Sequence, residues 1–88
     1  ALAEQAARDA ETARAAHWWQ ALARLRPADG RVAVRTMEAL AAAGDRAAAL
    51  ALGESHAALL RAEYGTQPDA AVVACVARLR DQGRSLPD

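Results

Sequence analysis

Apolar residues recur along this chain at intervals of three and four, and no stretch shows the alternation of a half-buried strand. Between Arg31 and Ala43, Val34, Met37 and Leu40 with Ala41 share one stripe of a helix. Between Arg46 and Tyr64 a second stripe holds Leu50, Ala57, Leu60 and Tyr64, widened by Leu52, Gly53, His56 and Leu59. Val72, Cys75 with Val76, and Leu79 mark a third between Ala70 and Asp81. The segment from Leu2 to Arg26 has no breaker, and its apolar half is the C-terminal one, with Trp18, Trp19, Leu22 and Leu25. The helical segments are separated by Pro27-Ala28-Asp29-Gly30, Gly44-Asp45 and Gly65-Thr66-Gln67-Pro68-Asp69. Each link joins a Gly or Pro stop to an Asp able to cap the next helix.

Links this short make neighbouring helices pack antiparallel. The expected fold is all-α, an antiparallel array of four to five helices. Its expected core is Trp19 (or Trp18), Leu22, Leu25, Val34, Met37, Leu40, Leu50, Leu60, Tyr64, Val72, Val76 and Leu79. Tyr64, Pro68 and Leu79 are expected to lock the last helix in place.

Composition sharpens this picture. The 88 residues, 1–88, form a single small domain, and 27 of them are alanine while none is phenylalanine. Alanine favours helix and adds little bulk, so the helices should approach one another closely. Neither a membrane span nor a signal peptide is present in the pattern. The lone Cys75 excludes an internal disulfide and fits a reducing, cytoplasmic setting. Eleven arginines balance eleven acids with no lysine, so the basic excess of a nucleic-acid-binding module is missing. The chain opens without Met inside a helical pattern, which suggests a piece of a larger protein.

Gly53-Glu54-Ser55-His56 resembles part of a hydrolase nucleophile elbow, but that motif needs a strand-to-helix turn. Here it lies inside a helix, where adjacent side chains point about 100° apart, so serine and histidine do not meet as nucleophile and base. No catalytic set and no cofactor is expected. Gly53 is read as steric relief, leaving room for an indole of Trp18 or Trp19. His56 is expected as a core or boundary histidine bonded to a carbonyl or side chain, with no second ligand to complete a metal site. Cys75 is expected to pack as a small hydrophobe, and His17 to lie on the surface. Of the two tryptophans one should be buried; the other, on a flank, is a candidate protein contact.

Three stretches taken together, LRPAD (25–29), RTMEALAAAGDRAAAL (35–50) and LLRAEYGTQPD (59–69), resemble the bacterial transcriptional activator domain. This is the tetratricopeptide-like helical domain of Streptomyces antibiotic regulatory proteins and their relatives. The resemblance covers about residues 12–82, with Tyr64 where the family has leucine. Ala15, Trp19, Leu22 and Pro27 follow the small, large, large, proline spacing of a tetratricopeptide unit. In the second unit Ala49 is the small residue, and Gly53 departs from the large one. Ala10-Glu11 stands where the family has its Gly-Asp turn, which leaves open whether the first helix turns there or runs on.

The resemblance implies a non-catalytic interaction or oligomerisation module of a bacterial transcriptional regulator. Its partners would be proteins: a second copy, a DNA-binding domain in the same chain, or the transcription machinery. Direct nucleic-acid or membrane binding is not implied, and a homodimer is compatible with it. An adaptor role in another multidomain signalling protein is the alternative. In the tetratricopeptide register, Arg31, Val34, Arg35, Glu38 and Ala41 line the inner face of the second unit. The candidate interaction residues are therefore Trp18, Arg31, Arg35 and Glu38.

Overall fold

A computed structural model describes residues 2–84, and these form an all-α array of four helices. Helix α1 spans Leu2–Leu25, α2 Gly30–Ala42, α3 Arg46–Leu59 and α4 Ala70–Arg84, with a π-helical turn, Leu60–Tyr64, extending α3. The first helix runs straight through Ala10-Glu11. Nothing there stops it, and local pairs support it. Gln5 Nε2 donates to Asp9 Oδ1 at 3.0 Å, and Thr12 Oγ1 donates back to the Arg8 carbonyl at 2.8 Å.

Two of the three expected aspartate caps form. Asp29 Oδ1 accepts from the Arg31 and Val32 amides at 3.0 and 3.3 Å, and Asp45 Oδ1 accepts from the Ala48 amide at 3.0 Å. At the third helix start, the Asp69 main-chain carbonyl takes the Val72 and Val73 amides. The Asp69 carboxylate instead lies against Gly30, in the space a β-carbon would fill. Gly44 and Gly65 adopt left-handed φ values of 87° and 63°, which glycine reaches without steric cost and which end α2 and the π turn.

Helix α2 is the hub. It packs against α1, α3 and α4, whereas α1 packs on α2 alone. Val32, Ala33, Thr36, Met37 and Leu40 of α2 are buried, together with Ala16, Ala49, Cys75, Val72 and Leu79 from its neighbours. Small side chains at these crossings let the backbones draw close, as the alanine content requires. The result is a slab of 50 × 35 × 16 Å.

Gly53 is indeed a point of close approach, but the indoles are not what it accommodates. A β-carbon there would lie 2.7 Å from Val76 Cγ2 and 2.8 Å from Met37 Sδ, so α3 presses its backbone onto α2 and α4. Thr36 adds a polar tie. Its hydroxyl donates to the Val32 carbonyl at 2.7 Å and stands 3.2 Å from the Trp19 carbonyl of α1.

Several expected core positions move outward. Leu25 is 79% exposed, because α1 has one neighbour and only a narrow stripe of it can be covered. Tyr64 is 62% exposed, so Pro68, half-buried, and Leu79, buried, hold the last helix without it. The wider π turn changes the angle between successive side chains and rotates Tyr64 off the stripe that Leu60 begins. Trp19, Leu22, Val34, Leu50, Leu60 and Val76 are half-buried around the inner cluster, and Ala16 is the buried residue that α1 contributes to it.

Candidate interaction site

Residues around the α1–α2 junction assemble the most distinctive surface. Trp18 is 60% exposed and meets half-buried Trp19 edge to face, with ring centroids 5.0 Å apart and planes at 81°. This geometry places the positive ring edge of one indole on the negative face of the other. Trp19 and Leu22 floor an open hollow of about 400 Å³, rimmed by Arg26, Arg31 and Arg35. Arg31 and Arg35 also border a second hollow with Val34 and Asp69, so they stand on a ridge between the two.

The electrostatics of this rim follow from where the nearby acids are committed. Arg31 and Arg35 are one turn apart on the same face, a like-charged pair that works against the helix. Glu38, one turn from Arg35, instead lies 3.6 Å from Arg78 of α4. Asp29 is engaged in capping α2. Of the four candidate residues, Arg31 and Arg35 rim the hollow and Trp18 touches its floor residue Trp19, while Glu38 is drawn into a strut between α2 and α4. Trp19, Leu22 and Arg26 were not among the sequence candidates. Periodicity assigned the first two to the core, and Arg26 lies in the turn, where stripe patterns carry no information.

A separate cleft of about 320 Å³ opens between α1 and α3, where those helices do not meet closely. Ala23, Leu52 and Leu59 supply apolar wall, with Gln20, Arg24 and Ser55 at the edges. His56, buried, lies at its side, and its Nδ1–H donates to the Pro27 carbonyl at 3.0 Å. That bond ties α3 to the α1–α2 link. It assigns the proton of the neutral ring to Nδ1 and leaves Nε2 as an acceptor, buried and without a partner among the described residues. Ser55 is exposed on the helical face next to it and makes no hydrogen bond to His56 among the described residues.

Cys75 is buried against α2, and burial pushes its thiol pKa up. The Arg78 guanidinium opposes that shift through its charge and through a contact 3.6 Å from Sγ, and Glu38 reinforces it. The thiol is therefore protonated at neutral pH. On the far side, Arg80 of α4 pairs with Glu54 of α3 at 2.8 Å, across an exposed seam. No three His, Cys, Asp or Glu side chains among the described residues are grouped to hold a metal ion. No helix among them is long and apolar enough to cross a membrane.

Compared with known proteins, residues 1–80 match the family model described as the bacterial transcriptional activator domain. No curated protein sequence and no solved structure matches the chain.

Proposed function

Since the chain belongs to the bacterial transcriptional activator domain family, we propose that it is a non-catalytic protein-interaction module of a bacterial transcriptional regulator. It would join that regulator to a protein partner, either a second copy or the transcription machinery, in the cytoplasm. The observation that carries this reading is the exposed Trp18 beside the hollow of Trp19 and Leu22, rimmed by three arginines. Tryptophan and arginine are the residues that most often dominate protein interfaces, because they combine large contact area with directional polar groups.

The packing of the array supports the same role. A tetratricopeptide-like array presents one face of each helix pair to a partner and keeps the other for its neighbours. Here α2 uses most of its circumference on the core and leaves Arg31 and Arg35 outward. A catalytic role has less to support it. The serine beside His56 is unpaired with it, and the histidine ring is spent on a structural bond to Pro27.

A tethering assay tests the proposal. The 88 residues are fused to an unrelated DNA-binding domain and placed upstream of a reporter promoter in bacteria. Increased reporter transcription is expected, together with association with RNA polymerase subunits or with itself in a two-hybrid assay. No increase, from a folded and monomeric fusion, would remove the reading and leave an adaptor role in another signalling protein.

A further inference from the structure

We infer that the hollow between α1 and α2 is a docking site for an acidic protein segment that carries an apolar anchor residue. The inference rests on the interaction-module reading above and names the chemistry of the partner. Its floor is the half-buried pair Trp19 and Leu22, an apolar base within a concave surface of about 400 Å³. Its rim is Arg26, Arg31 and Arg35, and none of these has a carboxylate partner among the described residues.

This local excess is notable in a chain whose total charge is zero. Of the nearby acids, Glu38 is drawn to Arg78, Asp29 at the edge of the hollow caps α2, and Asp69 of the adjoining hollow lies against Gly30. Three guanidinium groups thus stand near two carboxylates that form an ion pair with none of them. Guanidinium groups in such a ring hold carboxylates in forked, two-point geometry, while the apolar floor takes a leucine or aromatic side chain between them. The charge pattern therefore selects carboxylates on both sides of one apolar residue.

Nucleic acid also offers negative charge and rings that could stack on Trp18. The surroundings favour protein instead. Asp29 at the edge of this hollow and Asp69 in the adjoining one interrupt the positive surface, so it suits a short segment whose carboxylates can be spaced around them better than a backbone with a phosphate at every step. Nor does the chain carry the basic excess that phosphate binding draws on.

The experiment is a tryptophan-fluorescence titration of the 88-residue protein with a synthetic peptide of repeating glutamate and leucine. Saturable binding is expected, weakening as salt rises because exposed charges are screened. The Arg31→Glu/Arg35→Glu double variant should bind at least about tenfold more weakly. Circular dichroism should show it fully helical, since both side chains are exposed. Arg46→Glu, the same kind of charge change at the start of α3, should bind as the parent does. The inference is overturned by any of three results: no binding by the parent protein, equal binding of a peptide with glutamine in place of glutamate, or unaltered binding by the double variant. Displacement of the peptide by an oligonucleotide of equal charge would also overturn it, by assigning the site to phosphates. Running the double variant in the tethering assay separates the two levels. Activation that survives alongside failed peptide binding removes only this inference, whereas peptide binding without activation by the parent fusion removes the transcriptional-regulator reading and leaves an adaptor that binds such a segment.

Discussion

The first half of α1 and the whole of α2 are both alanine-rich helices, yet they are held in opposite ways. From Ala3 to Ala15 no side chain is buried, and the segment is kept helical by composition and by i,i+4 pairs such as Gln5–Asp9. Helix α2 has three helical neighbours, a capping aspartate and five buried residues. Propensity alone sustains a helix only marginally in water, so the first segment should open easily while α2 opens only with the whole fold. Being helical and being packed are separate properties here, and function follows the second. Where α1 does meet α2, the junction has a rigid base and one free side. That is where the tryptophans stand, with three arginines, Arg26, Arg31 and Arg35, that have no carboxylate partner among the described residues.

Substitutions can break this contrast. The largest effect is expected from Gly53→Leu, which drives a side chain into Met37 and Val76 and should cost about 3 kcal/mol or more in chemical denaturation. An unchanged midpoint would mean that α3 does not press on α2 as described. Ala33→Gly, in the buried face of α2, removes a packed methyl group and adds backbone freedom, for a loss of roughly 1–2 kcal/mol. Asp29→Ala removes the carboxylate oxygen that accepts from two amides at the start of α2 and should cost about 1 kcal/mol. Ala7→Gly, the same change as at Ala33 but in the unpacked segment, should reduce the helical signal while leaving the denaturation midpoint unmoved. A midpoint shift equal to that of Ala33→Gly would erase the distinction between the two regions.

Cys75 sharpens the contrast from another direction. Because burial raises its pKa, the fold favours the protonated thiol. Its contribution is complete below the unfolded thiol's pKa, near 9.0, and is lost as pH rises through the higher folded value. The denaturation midpoint should therefore fall over that alkaline window, and Cys75→Ala should remove that part of the dependence. At neutral pH, alkylation of Cys75 should be slow in the folded protein and fast in denaturant.

Much of the architecture was legible in the sequence because its signals were local. Helix boundaries followed from Gly, Pro and Asp at the links, and the α4 stripe of Val72, Cys75 and Leu79 is the one that is buried. His56 bonds to a carbonyl, as its place among leucines suggested. What sequence reasoning missed depended on neighbours. Gly53 was matched to the wrong bulky partner, since nothing local says which helix a glycine will touch. Leu25 and Tyr64 were assigned to the core by periodicity. A stripe gives direction only, whereas burial requires something opposite it. The arginine rim could be read only in part. Arg31 and Arg35 stood out by register, but Arg26 and the tryptophan floor belong to a surface that exists only once α1 lies on α2.

The most direct measurement is backbone and indole NMR of the labelled protein, titrated with the acidic glutamate–leucine peptide. Shifts are expected to concentrate at Trp19, Leu22, Arg26, Arg31 and Arg35, with the first half of α1 and the Glu54–Arg80 seam unmoved. Shifts centred on that seam or on the free half of α1 would contradict the claim that the α1–α2 junction is the working face.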